Sequence, residues 1–261
     1  MTSSAAAYSA TGGRWEQGPA RIYDRLAAVL VSRSPVPLGG RCVVDVGAGT
    51  GAGSRAALAA GAAGVVAVDA AYGMLAHDAR ARPAAVVGDI VRLPFATSTF
   101  GAAVAAFSLN HLEDPTAGLR EMARVTRAGG TLLAATYAED DDHPVKLAVA
   151  AALAARGWAP APWYRSMAAT VVPLLAVPER FATVATQAGL AVDVEAVRVP
   201  FPELRATDLV AWRLGMAQHA PFVAALSEGQ REAVAADALD RLGDGFTPLV
   251  RSIVVLTAVI G

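Results

Sequence analysis

Cysteine is nearly missing from this chain: Cys42 stands alone among 261 residues. That excludes an internal disulfide framework and any multi-cysteine zinc site. Cys42 itself is expected to be a small apolar filler at the start of a buried strand. Charge is also sparse, at 17% of residues, and the net charge is -1 with the two signs interspersed. Nucleic acid binding would need a basic surface, and none is written here. No apolar run reaches the ~18 residues that span a bilayer. No basic stretch followed by an apolar core opens the chain, so no signal peptide is expected. A cytoplasmic protein is the expectation. What is abundant is apolar: 54% of the residues are hydrophobic, enough for the core of one large domain or of a domain with insertions.

The apolar residues come in short runs. Val43-Val44-Asp45-Val46, Val65 to Asp69, Ala85 to Asp89, Ala102 to Ser108 and Thr131 to Thr136 read as buried strands. Helix candidates lie between them, at Ser54 to Ala60, Gly73 to Arg80 and Pro115 to Val125. Strands alternating with helices imply a parallel sheet covered on both faces. Residues 1 to 18 read as a mobile arm with aromatic anchors nearby: Tyr8, Trp15 and, beyond it, Tyr23. A helix follows over Ala20 to Ser32. Past Tyr137 the rhythm changes to a charged loop, then helices, among them Pro178 to Ala188, Thr207 to Leu226 and Glu228 to Leu242. Val192 to Val199 and Leu249 to Ile260 read as a hairpin-like strand pair with a long helical insertion inside it.

Chemistry concentrates where the first run breaks. Asp45-x-Gly47-x-Gly49-x-Gly51 follows a strand and precedes a helix. Glycines there let the backbone turn tightly and let a ligand approach the main chain. Gly47-x-Gly49-x-x-Ala52 also satisfies a dinucleotide fingerprint, so the loop alone leaves two cofactors open. Asp69 ends the second run, where a carboxylate can accept hydrogen bonds from ribose hydroxyls in either cofactor class. Gly88-Asp89-Ile90 ends the third, a position that dinucleotide enzymes do not need.

Together with Arg92-Leu93-Pro94-Phe95 and with Phe100 through Gly130-Thr131-Leu132, these segments resemble the class I S-adenosylmethionine-dependent methyltransferases. The likeness is nearest to the small-molecule enzymes of bacterial secondary metabolism. Ala128 stands where the family usually has proline in its Pro-Gly-Gly turn. The resemblance implies an α/β, Rossmann-like, seven-stranded sheet of order 3-2-1-4-5-7-6 with the last strand antiparallel. It also implies helices on both faces and a helical cap. A single domain over 1–261 is expected: 1–35 as N-terminal cap, 36–137 as cofactor-binding core, 138–188 and 201–246 as cap insertions, and 189–200 and 247–261 as C-terminal strands.

The same resemblance implies S-adenosylmethionine as cofactor and S-adenosylhomocysteine as product. Asp45, Gly47, Ala48, Gly49 and Gly51 would meet the methionyl end, with Asp69 and Ala70 at the ribose. Met74, Asp89 and Ile90 would hold adenine, and Phe107 and Ser108 would line the cofactor. His111 follows the fourth strand, at the sheet edge where ligands bind. It is the candidate general base, with a pocket wall or structural hydrogen bond as the other reading. Tyr8, Trp15, Tyr23, Tyr137, Trp212, Met216 and His219 are candidate substrate or cap residues; simple packing is the alternative for each. The acidic run Asp140 to Asp142 beside His143 reads as solvated, and no metal site is expected. The expected activity is methyl transfer to a small, fairly hydrophobic acceptor. A cofactor-binding protein with another activity, a cyclase or a noncatalytic partner, stays open, and a nicotinamide oxidoreductase behind it.

Overall fold

The apolar runs form one seven-stranded sheet. In the computed structural model, which describes residues 4–77 and 83–261, the strands are β1 (Cys42–Val46), β2 (Gly64–Asp69), β3 (Ala84–Val87), β4 (Phe100–Ala106), β5 (Thr126–Tyr137), β6 (Asp193–Phe201) and β7 (Leu249–Val259). Their order is β3-β2-β1-β4-β5-β7-β6, and β7 runs antiparallel to both neighbours. This is the order that the family resemblance implies. Successive side chains of the central strands alternate between two cores. Val43 and Val104 join the core on one face, and Val44, Val46, Ala103 and Ala105 join the other.

Several expectations change here. Cys42 is exposed, because it is the first residue of β1 and lies before the buried part of the strand. Residues 1–3 lie outside the described residues; within the segment expected to be a mobile arm, residues 4–17 hold two helices, Ser4–Ser9 and Gly12–Gln17. Their seat is Gly73, where any Cβ would stand 2.0 Å from the Ser9 carbonyl oxygen. Helix Tyr72–Ala76 is shorter than expected; Arg80, where it was to end, lies outside the described residues. The helix expected over Thr207 to Leu226 is two, Ala206–Gly215 and Ala220–Ala225, broken at Met216.

Parts of the segments expected as cap belong to the layers of the sheet. Helix Pro19–Ser32 packs on the sheet, with Leu26 and Leu30 fully buried in the same core as Val43. Helix Pro178–Gln187 covers the opposite face through Phe181 and Ala185. Phe201 belongs to β6 rather than to an insertion. Among the described residues, no single helix is long and apolar enough to cross a membrane.

Candidate functional site

The carboxyl ends of β1, β2 and β4 meet around a cavity of about 580 Å³. The β1 loop shapes its floor. Gly47, Gly49 and Gly51 all have positive φ, a region that favours glycine. Gly47 also has no room for a side chain, since a Cβ would lie 2.2 Å from Ser108 Cβ. Ser108 is fixed in turn by donating to the Val46 carbonyl at 2.7 Å. Between them, Phe107 adopts φ +65, uncommon for a residue with a side chain. Strain of this kind collects at functional sites.

Asp45 is buried beneath the loop, at the start of helix Ala52–Ala59. Its Oδ2 accepts from Ser54 Oγ at 2.7 Å, while its Oδ1 is buried with no partner. Burial lifts its pKa to about 6 against the hydrogen bonds from Ser54. Asp69, at the end of β2, accepts from the Gly49 amide and from the Ala71 amide, each at 2.7 Å. It thereby ties the two loops together.

Asp89 follows β3, and its Oδ1 accepts from the Val91 amide. The loop behind it is clamped by an ion pair. Arg124 pairs with Glu121 and donates to the Phe95 and Leu93 carbonyls, while Glu121 accepts from the Leu93 amide. That clamp joins two segments that the sequence shows only separately. Helix Pro115–Val125, which carries it, starts on an Asp114 cap that accepts from the Thr116 and Ala117 amides.

The structure brings most of the expected cofactor residues to this cavity. Gly47, Ala48, Gly49, Asp69, Ala70, Met74, Asp89, Ile90, Phe107 and Ser108 all line it. Asp45 and Gly51 support the loop from behind. Tyr8, Trp15 and Tyr23 also reach the cavity, and Thr11 Oγ1 donates to the Tyr8 carbonyl at 2.7 Å while resting 3.5 Å from Met74 Sδ.

A second cavity, of about 290 Å³, lies next to the first. Tyr8, Tyr23, Phe107 and His111 line both. Its walls are ring-rich: Tyr137 stacks on Phe107 at 4.7 Å, and Trp163 and Tyr164 close it from helix Pro162–Thr170. His111 sits on the boundary, in the one-turn helix Leu109–His111. Its Nε2 lies 3.1 Å from the Tyr8 hydroxyl and 3.4 Å from Asn110 Nδ2, and its Nδ1 is buried without a partner. Burial lowers its pKa to about 4, so the ring is neutral at physiological pH. The Tyr8 hydroxyl is pushed the other way, well above its usual range, by burial and by neighbouring Tyr23.

Three candidate residues fall elsewhere or differ in setting. Trp212 is fully buried in the core and lines neither cavity. His219 lines neither cavity: its Nδ1–H donates to the Arg213 carbonyl at 2.7 Å, and its ring packs edge-on against Trp158. Met216 does line the smaller cavity, but past the end of its helix, so it shares no helix face with Trp212.

The acidic run was misread in part. Asp140 and Asp142 are exposed, but Asp141 is buried in a two-bond pair with Arg251 at 2.8 Å and also binds Lys146 at 2.9 Å. A strand residue more than a hundred positions away supplied the partner, so no local pattern signalled it. His143 caps helix Pro144–Ala154, and its Nε2 lies 2.8 Å from the Thr247 carbonyl.

A glycine loop over a Rossmann-like sheet, with Asp69 ending β2, Asp89 just past β3 and a seventh antiparallel strand, defines a methyltransferase fold. Comparison with known proteins agrees. Residues 44–134 match the Methyltransf_11 family, described as a methyltransferase domain. A demethylmenaquinone methyltransferase of Mycolicibacterium paratuberculosis is 42% identical over 131 residues, covering 46% of this chain and 56% of that protein. The chain thus spans about half the length of the relatives it matches. Solved structures share the fold at lower identity. Phosphoethanolamine N-methyltransferase 2 from Haemonchus contortus, in complex with S-adenosyl-L-methionine, matches 90% of this chain and 52% of its own, with TM-score 0.54 and 18% identity. The [4+2]-cyclase SpnF matches with TM-score 0.56 and 19% identity over 91% of this chain and 82% of its own. The chain resembles the class I S-adenosylmethionine-dependent methyltransferases, as its motifs imply.

Proposed function

We propose that the chain transfers a methyl group from S-adenosylmethionine to a small aromatic acceptor. The observation that carries this is the pair of adjoining cavities: one floored by the glycine loop and edged by Asp69 and Asp89, the other walled by rings, with His111 on the boundary.

The residues present suit the cofactor. The buried, unpartnered Asp45 Oδ1 can take a hydrogen bond arising from an ammonium, directly or through water. Asp69 lies at the cavity edge, where its carboxylate can accept from a ribose hydroxyl. Met74 and Ile90 give apolar surfaces for a flat base, and Asp89 an acceptor for an exocyclic amine. When bound, S-adenosylmethionine would supply an electrophilic methyl carbon, which an acceptor nucleophile takes in line as the C–S bond breaks and S-adenosylhomocysteine leaves.

The chain's part is positioning and proton transfer. The stacked Phe107 and Tyr137 orient a flat acceptor, and Tyr8 covers the boundary and limits water. Orientation alone can remove several kcal/mol of barrier. Neutral His111 is the group able to take a proton from the acceptor, at its unpartnered Nδ1 when Nε2–H donates to the Tyr8 hydroxyl and steadies the ring. Oxygen, nitrogen and carbon acceptors all suit this arrangement.

Incubation with methyl-labelled S-adenosylmethionine and a panel of phenols, aryl amines and enolisable aromatic ketones tests the reading. Label in an organic product, matched by S-adenosylhomocysteine, is the expected result. Tight cofactor binding with no transfer across the panel would favour a noncatalytic or cyclase role.

A further inference from the structure

The smaller cavity carries more positive charge than its own acids balance. Lys146 and Arg251 share the single buried carboxylate of Asp141. Arg213, also lining the cavity, has no acid at all. It is 9% exposed, its Nε is buried, and its guanidinium makes no hydrogen bond or ion pair among the described residues. Its side chain rests on the Trp212 ring at 5.2 Å, and Arg251 lines the same cavity. Arg251 lies 4.0 Å over the Tyr137 ring and keeps Nη1 buried and unpaired. Glu139, at the rim, is exposed and turned toward Arg180.

An unpaired buried cation is costly to keep, and buried charges are ordinarily paired. Arg213 without an acid, beside the one unpartnered Nη1 of the Asp141-paired Arg251, lines a ring-walled cavity and matches a planar oxyanion on a flat molecule. The rings set the body of the ligand and the arginines set its charged end. Arg251 packs on Tyr137, which stacks on Phe107, and Phe107 borders the larger cavity. The charged end and the methyl donor are therefore separated by a short stack of rings.

We propose that the smaller cavity binds an aromatic acceptor carrying an anionic oxygen group, a carboxylate or a phosphate monoester, held by Arg213 and the free Nη1 of Arg251. This deepens the methyltransferase reading, on which it rests, by naming the chemical class of the acceptor. It adds a charged end to the fairly hydrophobic acceptor that is expected.

The test is calorimetry on the full chain saturated with S-adenosylhomocysteine. 4-Hydroxycinnamate is compared with its carboxamide, and phenyl phosphate with phenol. One anion is expected to bind at least about tenfold tighter than its neutral partner, the scale of a charge-assisted hydrogen bond. Which anion does so separates carboxylate from phosphate. In Arg213→Met the preference should shrink to about threefold or less, with S-adenosylhomocysteine affinity unchanged and thermal stability equal or higher, since an unpaired buried charge is removed. Equal binding of anion and neutral partner, no binding of either anion at millimolar concentration, or a full preference surviving in Arg213→Met overturns the proposal. The wild-type comparison stands even if the variant fails to fold. Failure of S-adenosylhomocysteine itself to bind would instead strike at the methyltransferase reading.

Discussion

The two cavities are built by different means. The larger one is made of backbone and short loops at consecutive strand ends: Gly47 to Gly49, Asp69 to Ala71, Asp89 to Val91. Each contribution is local in sequence. The smaller one is assembled from side chains on distant elements, with Tyr137 from β5, Trp163 from an inserted helix, Arg213 from another and Arg251 from β7. A cofactor of fixed shape can be met by fixed backbone. An acceptor that varies between enzymes is met by side chains on insertions, which change without disturbing the sheet.

Mutations sort the two cavities by effect. The largest expected change is at their boundary. His111→Ala should lower kcat by about 10² to 10⁴, the usual scale for loss of a general base, with S-adenosylhomocysteine affinity held within about threefold. Steady-state kinetics and calorimetry on the same preparation check both halves. Near-normal kcat would leave His111 a wall residue. The pH profile adds a second reading: with a pKa lowered to about 4, the imidazole stays unprotonated down to that range, so its contribution fades only as pH falls toward 4 rather than through 6.5.

Next comes Asp69→Ala. It removes ribose acceptors and also frees the Gly49 and Ala71 amides. Cofactor affinity should fall well beyond tenfold, given about 1.5–3 kcal/mol for a charged hydrogen bond. Acceptor-side binding should change far less.

Asp45 gives a smaller, pH-dependent effect. Its pKa is raised by burial to about 6, so protonation removes the negative charge as pH falls through that value. S-adenosylmethionine affinity should weaken by about tenfold between pH 7 and pH 5. Asp45→Asn should bind weakly at both pH values and lose the slope. A slope that survives in the variant would assign it to another group.

Tyr8→Phe is expected to be the mildest. It keeps the ring packing on Trp15 and His111 but removes the hydroxyl at His111 Nε2. A net hydrogen bond of about 1 kcal/mol corresponds to a few-fold change in kcat. An effect as large as that of His111→Ala would make the tyrosine a full partner in proton transfer.

The contrast also explains what the sequence disclosed. The glycine loop and the acids Asp45, Asp69 and Asp89 were legible because each lies within one strand-loop unit, and the sheet order followed from the family resemblance those units carry. Gly47 shows why: its position between strand and helix announces a turn, and the structure adds that Ser108 leaves it no room for a side chain. The N-terminal arm was illegible because what orders it is Gly73, which lets Ser9 approach, some sixty residues away in the chain. Asp141 was hidden for the same reason. Three acids in a row look solvated until β7 brings Arg251 to one of them. Arg213 carried no motif at all, and only its burial without an acid marks it.

The most direct test of the account is calorimetric titration of the wild-type chain with S-adenosylhomocysteine and, separately, with NADH. The glycine loop fits both cofactor classes, while Asp89 and the segment through Gly129-Gly130 fit only the first. The account predicts saturable one-to-one binding of S-adenosylhomocysteine, lost in Asp69→Ala, and negligible binding of NADH. Binding of NADH without S-adenosylhomocysteine would contradict it.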